Sequence, residues 1–156
     1  MRVLFVCTGN TCRSALAQAI ATRVVAERGL CDVVVSSAGT SAWDGAPASD
    51  GALLVGLERK LDLSVHRARQ VSREIVCEND LILAMGPHHL ERIAALGGDG
   101  KTHLLTDYAE RSTGGRAIVD PFGGGLEIYR STADELEHVV ALVFDRLASE
   151  RPQGAP

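Results

Sequence analysis

The N-terminus of this chain places a cysteine and an arginine at the two ends of a short polar segment that follows an apolar run. The apolar run is Val3–Val6, the polar segment extends from Cys7 to Arg13, and apolar residues then recur with helical spacing over Ser14–Arg28. This order predicts a strand, a tight loop and a helix. In that arrangement several backbone N–H groups and the helix N-terminus point at one place.

The predicted loop has the chemistry of an anion site beside a reactive sulfur. A bound anion would meet backbone amides, the positive end of the helix dipole and the guanidinium of Arg13. The same field favours a thiolate, so Cys7 is predicted to be a nucleophile. Gly9 and Asn10 suit left-handed backbone. The alternative is an apolar cysteine at a strand end with a solvated arginine. The agreement of loop, helix and residue types favours a cysteine phosphatase.

The rest of the chain alternates between strand and helix patterns. This alternation predicts one doubly wound α/β domain over 1–150, with a frayed tail over 151–156. A loop after a central strand of such a sheet lies where ligands bind. The predicted strands are Val3–Val6, Asp32–Ser36, Asp80–Ala84 and Thr102–Leu105. The predicted helices are Ser14–Arg28, Ser49–Lys60, Ser72–Cys77, Pro87–Ala95 and Thr132–Ser149.

Several local patterns refine this outline. The apolar runs 33–35 and 81–83 lack alternation, which predicts strands covered on both faces. Thr132 and Glu135 have the spacing of a capping box at the start of the last helix. Thr106–Gly125 is predicted to be one long irregular loop, and long loops in compact domains tend to be functional.

Composition excludes several classes of protein. Of the 156 residues, 46% are hydrophobic and 23% are charged, which is ordinary globular usage. A formal charge of −4 without a basic run argues against nucleic acid as a partner. No apolar stretch is long enough for a membrane helix, and the N-terminus does not resemble a signal peptide. We therefore expect a cytoplasmic protein with no membrane partner.

The four cysteines do not have the spacing of a metal site. They include no CxxC pair and no Cys/His cluster, so we expect no structural zinc, no other metal and no cofactor. Cys31 and Cys77 are predicted to be buried. Cys7 and Cys12 share one loop, and a reversible disulfide between them is expected under oxidative stress.

A second motif lies far along the chain, at Asp120-Pro121-Phe122-Gly123. A cysteine phosphatase needs an acid for the leaving group and later a base for the hydrolytic water. Asp120 suits both tasks. Alone, the motif could equally be a turn before the last helix. Together with the cysteine loop, it favours catalysis.

Cys7–Ser14 and Asp120–Gly123 together resemble the low-molecular-weight protein-tyrosine-phosphatase family over nearly the whole chain. Shorter stretches at 36–40, 66–69 and 83–85 resemble its intermediate motifs. The resemblance implies a four-stranded parallel sheet with helices on both faces. It also implies a metal-free hydrolase that works through a phosphocysteine and releases inorganic phosphate from a phosphorylated protein or peptide.

The resemblance also implies a role for individual residues. Cys7 is matched to the nucleophile, Arg13 to the phosphoryl clamp, and Asp120 to the general acid and then the base. Ser14 is matched to a hydrogen-bond donor for the Cys7 sulfur. Asn10 is matched to a left-handed turn residue held by two supporting residues, Ser37 and His66. The phosphate-binding loop is Thr8, Gly9, Asn10, Thr11, Cys12, Arg13 and Ser14.

Three residues bear on the substrate. Thr11 and Phe122 resemble the residues of the bacterial protein-arginine-phosphatase branch. In the tyrosine-specific branch, the position of Thr11 is commonly a larger aliphatic residue and that of Phe122 commonly a tyrosine. A threonine hydroxyl can hydrogen-bond a guanidinium, whereas a branched aliphatic cannot. Trp43 could stack on either a phenyl ring or a guanidinium. Phosphoarginine is therefore the favoured substrate, and phosphotyrosine the alternative.

Two other classes stay open. An arsenate reductase shares the Cys–Arg loop but needs two further cysteines for a disulfide relay, and Cys77 has no second cysteine nearby. An idle phosphoprotein-binding module would normally lack one of three residues that are all present here, namely Cys7, Arg13 and Asp120.

Overall fold

The sheet is the parallel four-stranded sheet that the resemblance implied. A computed structural model describes residues 1–150, and the strands lie in the order β2-β1-β3-β4 with every pair parallel. Their bounds are β1 Arg2–Cys7, β2 Val34–Gly39, β3 Leu81–Ala84 and β4 Thr102–Leu104. The helices are α1 Arg13–Glu27, α2 Asp50–Glu58, α3 Arg73–Glu78, α4 Pro87–Ala95, α5 Leu105–Glu110 and α6 Leu126–Glu150.

Side chains of β1 alternate between two hydrophobic cores, one on each face of the sheet. Val3 and Phe5 belong to the core that includes residues of α1, α2, α5 and α6. Leu4 and Val6 belong to a smaller core with residues of α3 and α4. Because strand side chains point to opposite faces in turn, a fully apolar strand indicates cover on both sides. The predicted doubly wound class is confirmed.

The first strand is central, and this fixes the position of the cysteine loop. β1 pairs with β2 on one side and β3 on the other, so the strand order reverses beside it. Cys7 is the last residue of β1, opposite Gly39 at the end of β2. A Cβ on Gly39 would lie 2.4 Å from the backbone oxygen of Thr8. Only glycine therefore allows the loop after β1 to pack against β2.

The last helix begins six residues before the predicted start. α6 runs from Leu126, and Thr132 is a buried residue within it rather than its N-cap. Glu135 forms an ion pair with Arg116 instead of closing a capping box. The apolar stripe starts earlier because Tyr129 is in register with the buried residues of the helix. The predicted long loop is also shorter, since α5 occupies its first residues.

Three burial predictions are wrong. Val34 is half exposed, because β2 is an edge strand of the sheet. Cys31 lies in the turn after α1, and Cys77 lies on the exposed side of the short helix α3; both thiols are exposed. The run Leu81–Leu83 is buried throughout, as predicted for an interior strand.

The predicted tail, 151–156, lies outside the described residues. Within residues 1–150, no helix combines the length and the apolar character needed to cross a bilayer.

Candidate active site

The loop between β1 and α1 turns at Asn10. Asn10 has φ 57°, in the left-handed region, whereas Gly9 does not. Asparagine tolerates this conformation better than most residues. The turn lets the chain enter α1 at Arg13 directly after the loop, with no side-chain cap on the first turn. Unused backbone N–H groups at this helix start can therefore bind an anion.

The Cys7 sulfur is buried and accepts hydrogen bonds within this loop. The backbone N–H of Asn10 donates to Cys7 Sγ at 3.3 Å. Ser14 Oγ lies 2.9 Å from the same sulfur. Both contacts favour a sulfur that carries negative charge, because a thiolate is an acceptor only.

Asn10 also ties the loop to neighbouring segments. Its Nδ2 group donates to Ser14 Oγ at 2.8 Å and to Ser37 Oγ at 2.9 Å, and its Oδ1 accepts from the backbone N–H of Arg69 at 3.0 Å. His66 Nε2 donates to the Asn10 carbonyl oxygen at 2.6 Å. Both N–H bonds and the oxygen of the buried Asn10 amide therefore have hydrogen-bond partners.

Burial keeps His66 neutral in this network. Desolvation lowers the pKa of His66 below its usual value, and the positive charge of Arg67 lowers it further, against the hydrogen bond to Asn10. A neutral imidazole adds no second cation behind the loop. The cationic side chain at the loop is that of Arg13, the first residue of α1.

Arg13 and Asp120 meet across the mouth of the loop. The Arg13 side chain is 5% exposed and the Asp120 side chain 53% exposed, with Nη2 and Oδ2 separated by 3.5 Å. Arg13 Nη1 also donates to the Ile118 carbonyl at 3.1 Å, and the Ile118 N–H donates to the Met85 carbonyl at 2.8 Å. The segment that carries Asp120 is thus anchored to Arg13 and to Met85, the residue directly after β3.

The sulfur, the cation and the carboxylate share one cavity of about 210 Å³. Phe122 forms part of its rim, and Asp120 Oδ1 accepts from the Phe122 N–H at 3.1 Å. Thr11 also lines the cavity, and its hydroxyl makes a long contact of 3.8 Å with Cys12 Sγ. The lining residues are Cys7, Thr8, Gly9, Thr11, Cys12, Arg13, Asp120 and Phe122.

Trp43 is not among the residues that line this cavity. Its side chain is 83% exposed, in the loop between β2 and α2. The structure therefore brings Thr11 and Phe122 to the cavity but leaves Trp43 outside.

Among the residues that contact the loop, Tyr129 and His89 were not predicted from the sequence. The Tyr129 hydroxyl lies 3.5 Å from Cys12 Sγ and 3.3 Å from Ser49 Oγ, and burial raises the pKa of this tyrosine. Its register with the apolar stripe of α6 could have indicated burial. The second is His89, whose Nε2 lies 2.9 Å from Thr8 Oγ1. No periodicity marks it.

A larger cavity of about 510 Å³ shares no lining residue with the first. Ser37 and His66 are among its lining residues, whereas Cys7 and Arg13 are not. Within residues 1–150, no three His, Cys, Asp or Glu side chains are grouped to hold a metal ion.

Comparison with known proteins gives consistent results. Residues 2–153 match the family model for low molecular weight phosphotyrosine protein phosphatase. The chain is 37% identical to a protein-arginine-phosphatase of Bacillus subtilis, over 97% of this chain and 99% of the relative. It is also 37% identical to the low molecular weight protein-tyrosine-phosphatase PtpB of Staphylococcus haemolyticus, over 90% of this chain and 95% of that relative.

A solved structure matches over nearly the same span. It is the YwlE arginine phosphatase in a mutant with a phosphorylated active-site serine, at TM-score 0.90 and 35% identity. The match covers 97% of this chain and 98% of that one.

Proposed function

The chain belongs to the low molecular weight phosphotyrosine protein phosphatase family, and on that basis we propose that it hydrolyses phosphorylated side chains through a phosphocysteine on Cys7, with phosphoarginine favoured. Family members act on phosphorylated proteins. The observation that carries the proposal is the shared cavity, in which the hydrogen-bonded sulfur of Cys7 faces Arg13 and Asp120.

In the first step the Cys7 thiolate attacks phosphorus. The S–P bond forms as the bond from phosphorus to the substrate nitrogen or oxygen breaks, and Asp120 gives its proton to the leaving atom. Arg13 and the loop amides hold the equatorial phosphoryl oxygens, where negative charge develops. Arg13 Nη2 and Asp120 Oδ2 are 3.5 Å apart, so both side chains can reach the same phosphoryl group, Arg13 to bind its oxygens and Asp120 to protonate the leaving atom.

In the second step water attacks the phosphocysteine. Asp120 takes a proton from the water, the S–P bond breaks, and the electron pair returns to Cys7 as a thiolate. Ser14 donates a hydrogen bond to that sulfur across 2.9 Å. Inorganic phosphate leaves, and no metal or cofactor takes part in the two proposed steps.

The cavity wall supports phosphoarginine as the favoured substrate. A guanidinium carries N–H donors that need acceptors once they are desolvated. Thr11 and Asp120 both line the cavity; the contact of the Thr11 hydroxyl with Cys12 Sγ is long, at 3.8 Å, and the Asp120 carboxylate is half exposed. Phe122 supplies an apolar face for the guanidinium plane. Relatives of this chain include enzymes named as arginine phosphatases and enzymes named as tyrosine phosphatases.

Replacing Thr11 with isoleucine should selectively impair phosphoarginine hydrolysis. The change removes the hydroxyl and leaves a guanidinium donor unpaired, which costs roughly 1–3 kcal/mol, or about 5- to 150-fold in kcat/KM. Phosphotyrosine should be spared, since its ring needs only apolar walls. The test is kcat/KM for matched phosphoarginine and phosphotyrosine peptides with wild type and Thr11→Ile.

Two further variants separate the hydroxyl from the shape of the side chain. Thr11→Val removes the hydroxyl at nearly constant volume and should behave like Thr11→Ile, whereas Thr11→Ser keeps the hydroxyl and should recover much of the loss. The arginine preference is wrong if wild type favours phosphotyrosine, or if Thr11→Ile lowers both activities equally. A tyrosine phosphatase of the same family would then be the function.

The two remaining alternatives differ from a phosphatase in simple assays. An arsenate reductase needs a cysteine relay, but Cys31 and Cys77 are exposed thiols outside the cavity. A binding module would bind phosphopeptide without turnover. Hydrolysis of para-nitrophenyl phosphate by wild type therefore separates the enzyme from the module.

Peroxide is expected to inactivate the enzyme reversibly through Cys7 and Cys12. Both thiols line one cavity, so a sulfenic acid on Cys7 should be captured by Cys12 as a disulfide. Peptide mapping should find the Cys7–Cys12 disulfide. The peroxide-treated Cys12→Ser variant should regain little activity on thiol treatment, because the sulfenic acid on Cys7 is then oxidised further to the sulfinic acid. Cys31→Ser, which alters an exposed thiol, is the control. Full recovery of Cys12→Ser would show that Cys12 is not the resolving thiol.

The expected setting of this activity is the cytoplasm, where thiols are reduced at rest. The proposed partner is a phosphorylated protein or peptide, and the product is inorganic phosphate. Neither nucleic acid nor a membrane is part of the proposed reaction.

A further inference from the structure

A buried histidine behind the phosphate-binding loop has no part in the mechanism above. His89 is the third residue of α4, and its side chain is 0% exposed. It is one of two adjacent histidines, and the other, His88, is exposed at the surface. A buried imidazole without a structural or chemical role would be costly, so both of its nitrogens need explanation.

The hydrogen bonds of His89 define its tautomer. The backbone N–H of Gly86 donates to His89 Nδ1 at 3.0 Å. Nδ1 therefore accepts and carries no proton, which places the proton of the neutral ring on Nε2. Nε2 lies 2.9 Å from Thr8 Oγ1, so His89 donates to the Thr8 hydroxyl.

The direction of this bond leaves the Thr8 hydroxyl with one proton to give. His89 uses an oxygen lone pair of Thr8, and no other residue within 1–150 has a hydrogen bond to that hydroxyl. Thr8 lines the cavity that also contains Cys7, Arg13 and Asp120. Its O–H can therefore donate into the space where a phosphoryl group would lie.

The surroundings of His89 keep it in the neutral form that this arrangement needs. Burial lowers the pKa of His89 to about 4; the electrostatic effects of His88 and Arg13 lower it further, and the effect of Asp120 opposes them. Near neutral pH the ring is therefore uncharged. A protonated ring would place an N–H against the N–H of Gly86 and lose that bond.

We propose that His89 is a positioning residue, which orients the Thr8 hydroxyl so that it donates a hydrogen bond to a phosphoryl oxygen bound in the loop. The proton stays on Thr8, and His89 acts only through it. This role rests on the proposed function for its catalytic consequence, but the binding of phosphate tests it without any turnover.

Two substitutions at position 89 separate the two nitrogens. In His89→Asn the side-chain oxygen can still accept from the Gly86 N–H, as Nδ1 does, but the donor to Thr8 is lost. In His89→Gln the longer amide can place an N–H where Nε2 lies, so the donor to Thr8 is retained. Thr8→Val removes the hydroxyl, and Thr8→Ser keeps it. His138→Gln changes an exposed histidine of α6 that does not line the cavity, and it is the control.

The measurement is the dissociation constant of inorganic phosphate by calorimetry, with Tm recorded for every variant. Thr8→Val and His89→Asn should each weaken phosphate binding by about 10- to 100-fold, the range for a hydrogen bond to a charged group. The double variant should be no weaker than the weaker single variant, because both remove the same bond. His89→Gln should bind phosphate more tightly than His89→Asn, and Thr8→Ser should bind phosphate more tightly than Thr8→Val.

Three results would overturn the role of His89. The first is a phosphate dissociation constant for His89→Asn equal to that of wild type. The second is a loss of phosphate affinity in the double variant that equals the product of the two single losses. The third is an equal loss of phosphate affinity in His89→Gln and His89→Asn at unchanged Tm. Failure of the proposed function would be a different result. In that case wild type would hydrolyse neither phosphopeptide nor para-nitrophenyl phosphate, while the phosphate-binding series would still report on His89.

Discussion

Replacing Cys7 with serine is expected to lower kcat/KM for para-nitrophenyl phosphate and for phosphopeptides by at least about 10³-fold. The loop stabilises negative charge on sulfur through the Asn10 N–H and Ser14. A serine hydroxyl at the same position stays protonated at neutral pH and is a weak nucleophile, and its hydrogen-bond partners, Ser14 and the Asn10 N–H, are not general bases. Serine would also be a poor leaving group in the second step.

The control for this prediction is Cys31→Ser, which removes an exposed thiol outside the cavity. Both variants should bind inorganic phosphate, because the loop amides and Arg13 remain. If Cys7→Ser hydrolyses para-nitrophenyl phosphate within tenfold of wild type, the sulfur is not the nucleophile.

Replacing Asp120 with asparagine should have an effect that depends on the leaving group. For phosphopeptides with poor leaving groups the expected loss in kcat is about 10²–10⁴-fold, the usual contribution of general acid–base catalysis. For para-nitrophenyl phosphate the loss should be smaller in the first step, because that leaving group departs with little protonation. Asparagine keeps the size of the side chain but cannot transfer the proton.

The loss on Asp120→Asn is measured by steady-state and rapid-mixing kinetics on both substrate classes. Asp99→Asn, which changes an exposed carboxylate outside the cavity, is the matched control. Equal losses in the first step on both classes would indicate that Asp120 is structural, through its contacts with Arg13 and the Phe122 N–H.

The parts of the fold that sequence predicted well are those where local pattern and tertiary packing agree. Val3–Val6 is apolar throughout because β1 lies between two cores, and Pro87 begins α4 as predicted for a proline at the first helical position. The sequence pattern does not reveal the start of α6, because Tyr129 is the one buried residue of this helix before Thr132 and a single residue gives no periodicity.

The parts of the site that sequence could not predict depend on long-range contacts. Cys7, Arg13 and Thr11 are close in sequence, and a loop between a strand and a helix brings them together. His89 reaches Thr8 from 81 residues away, and no periodicity connects them. Trp43 was predicted to contact the substrate because its indole can stack on a planar group. It is exposed on the loop between β2 and α2, and it does not line the cavity.

The most direct test of the account is to locate the phosphate during turnover. Wild type and Asp120→Asn are mixed with para-nitrophenyl phosphate, quenched with denaturant within milliseconds, digested and mapped by mass spectrometry. We expect phosphate on Cys7 in both, with a larger fraction in Asp120→Asn because hydrolysis of the intermediate needs the base. Turnover without phosphate on Cys7, or with phosphate on a different residue, would contradict the phosphocysteine mechanism.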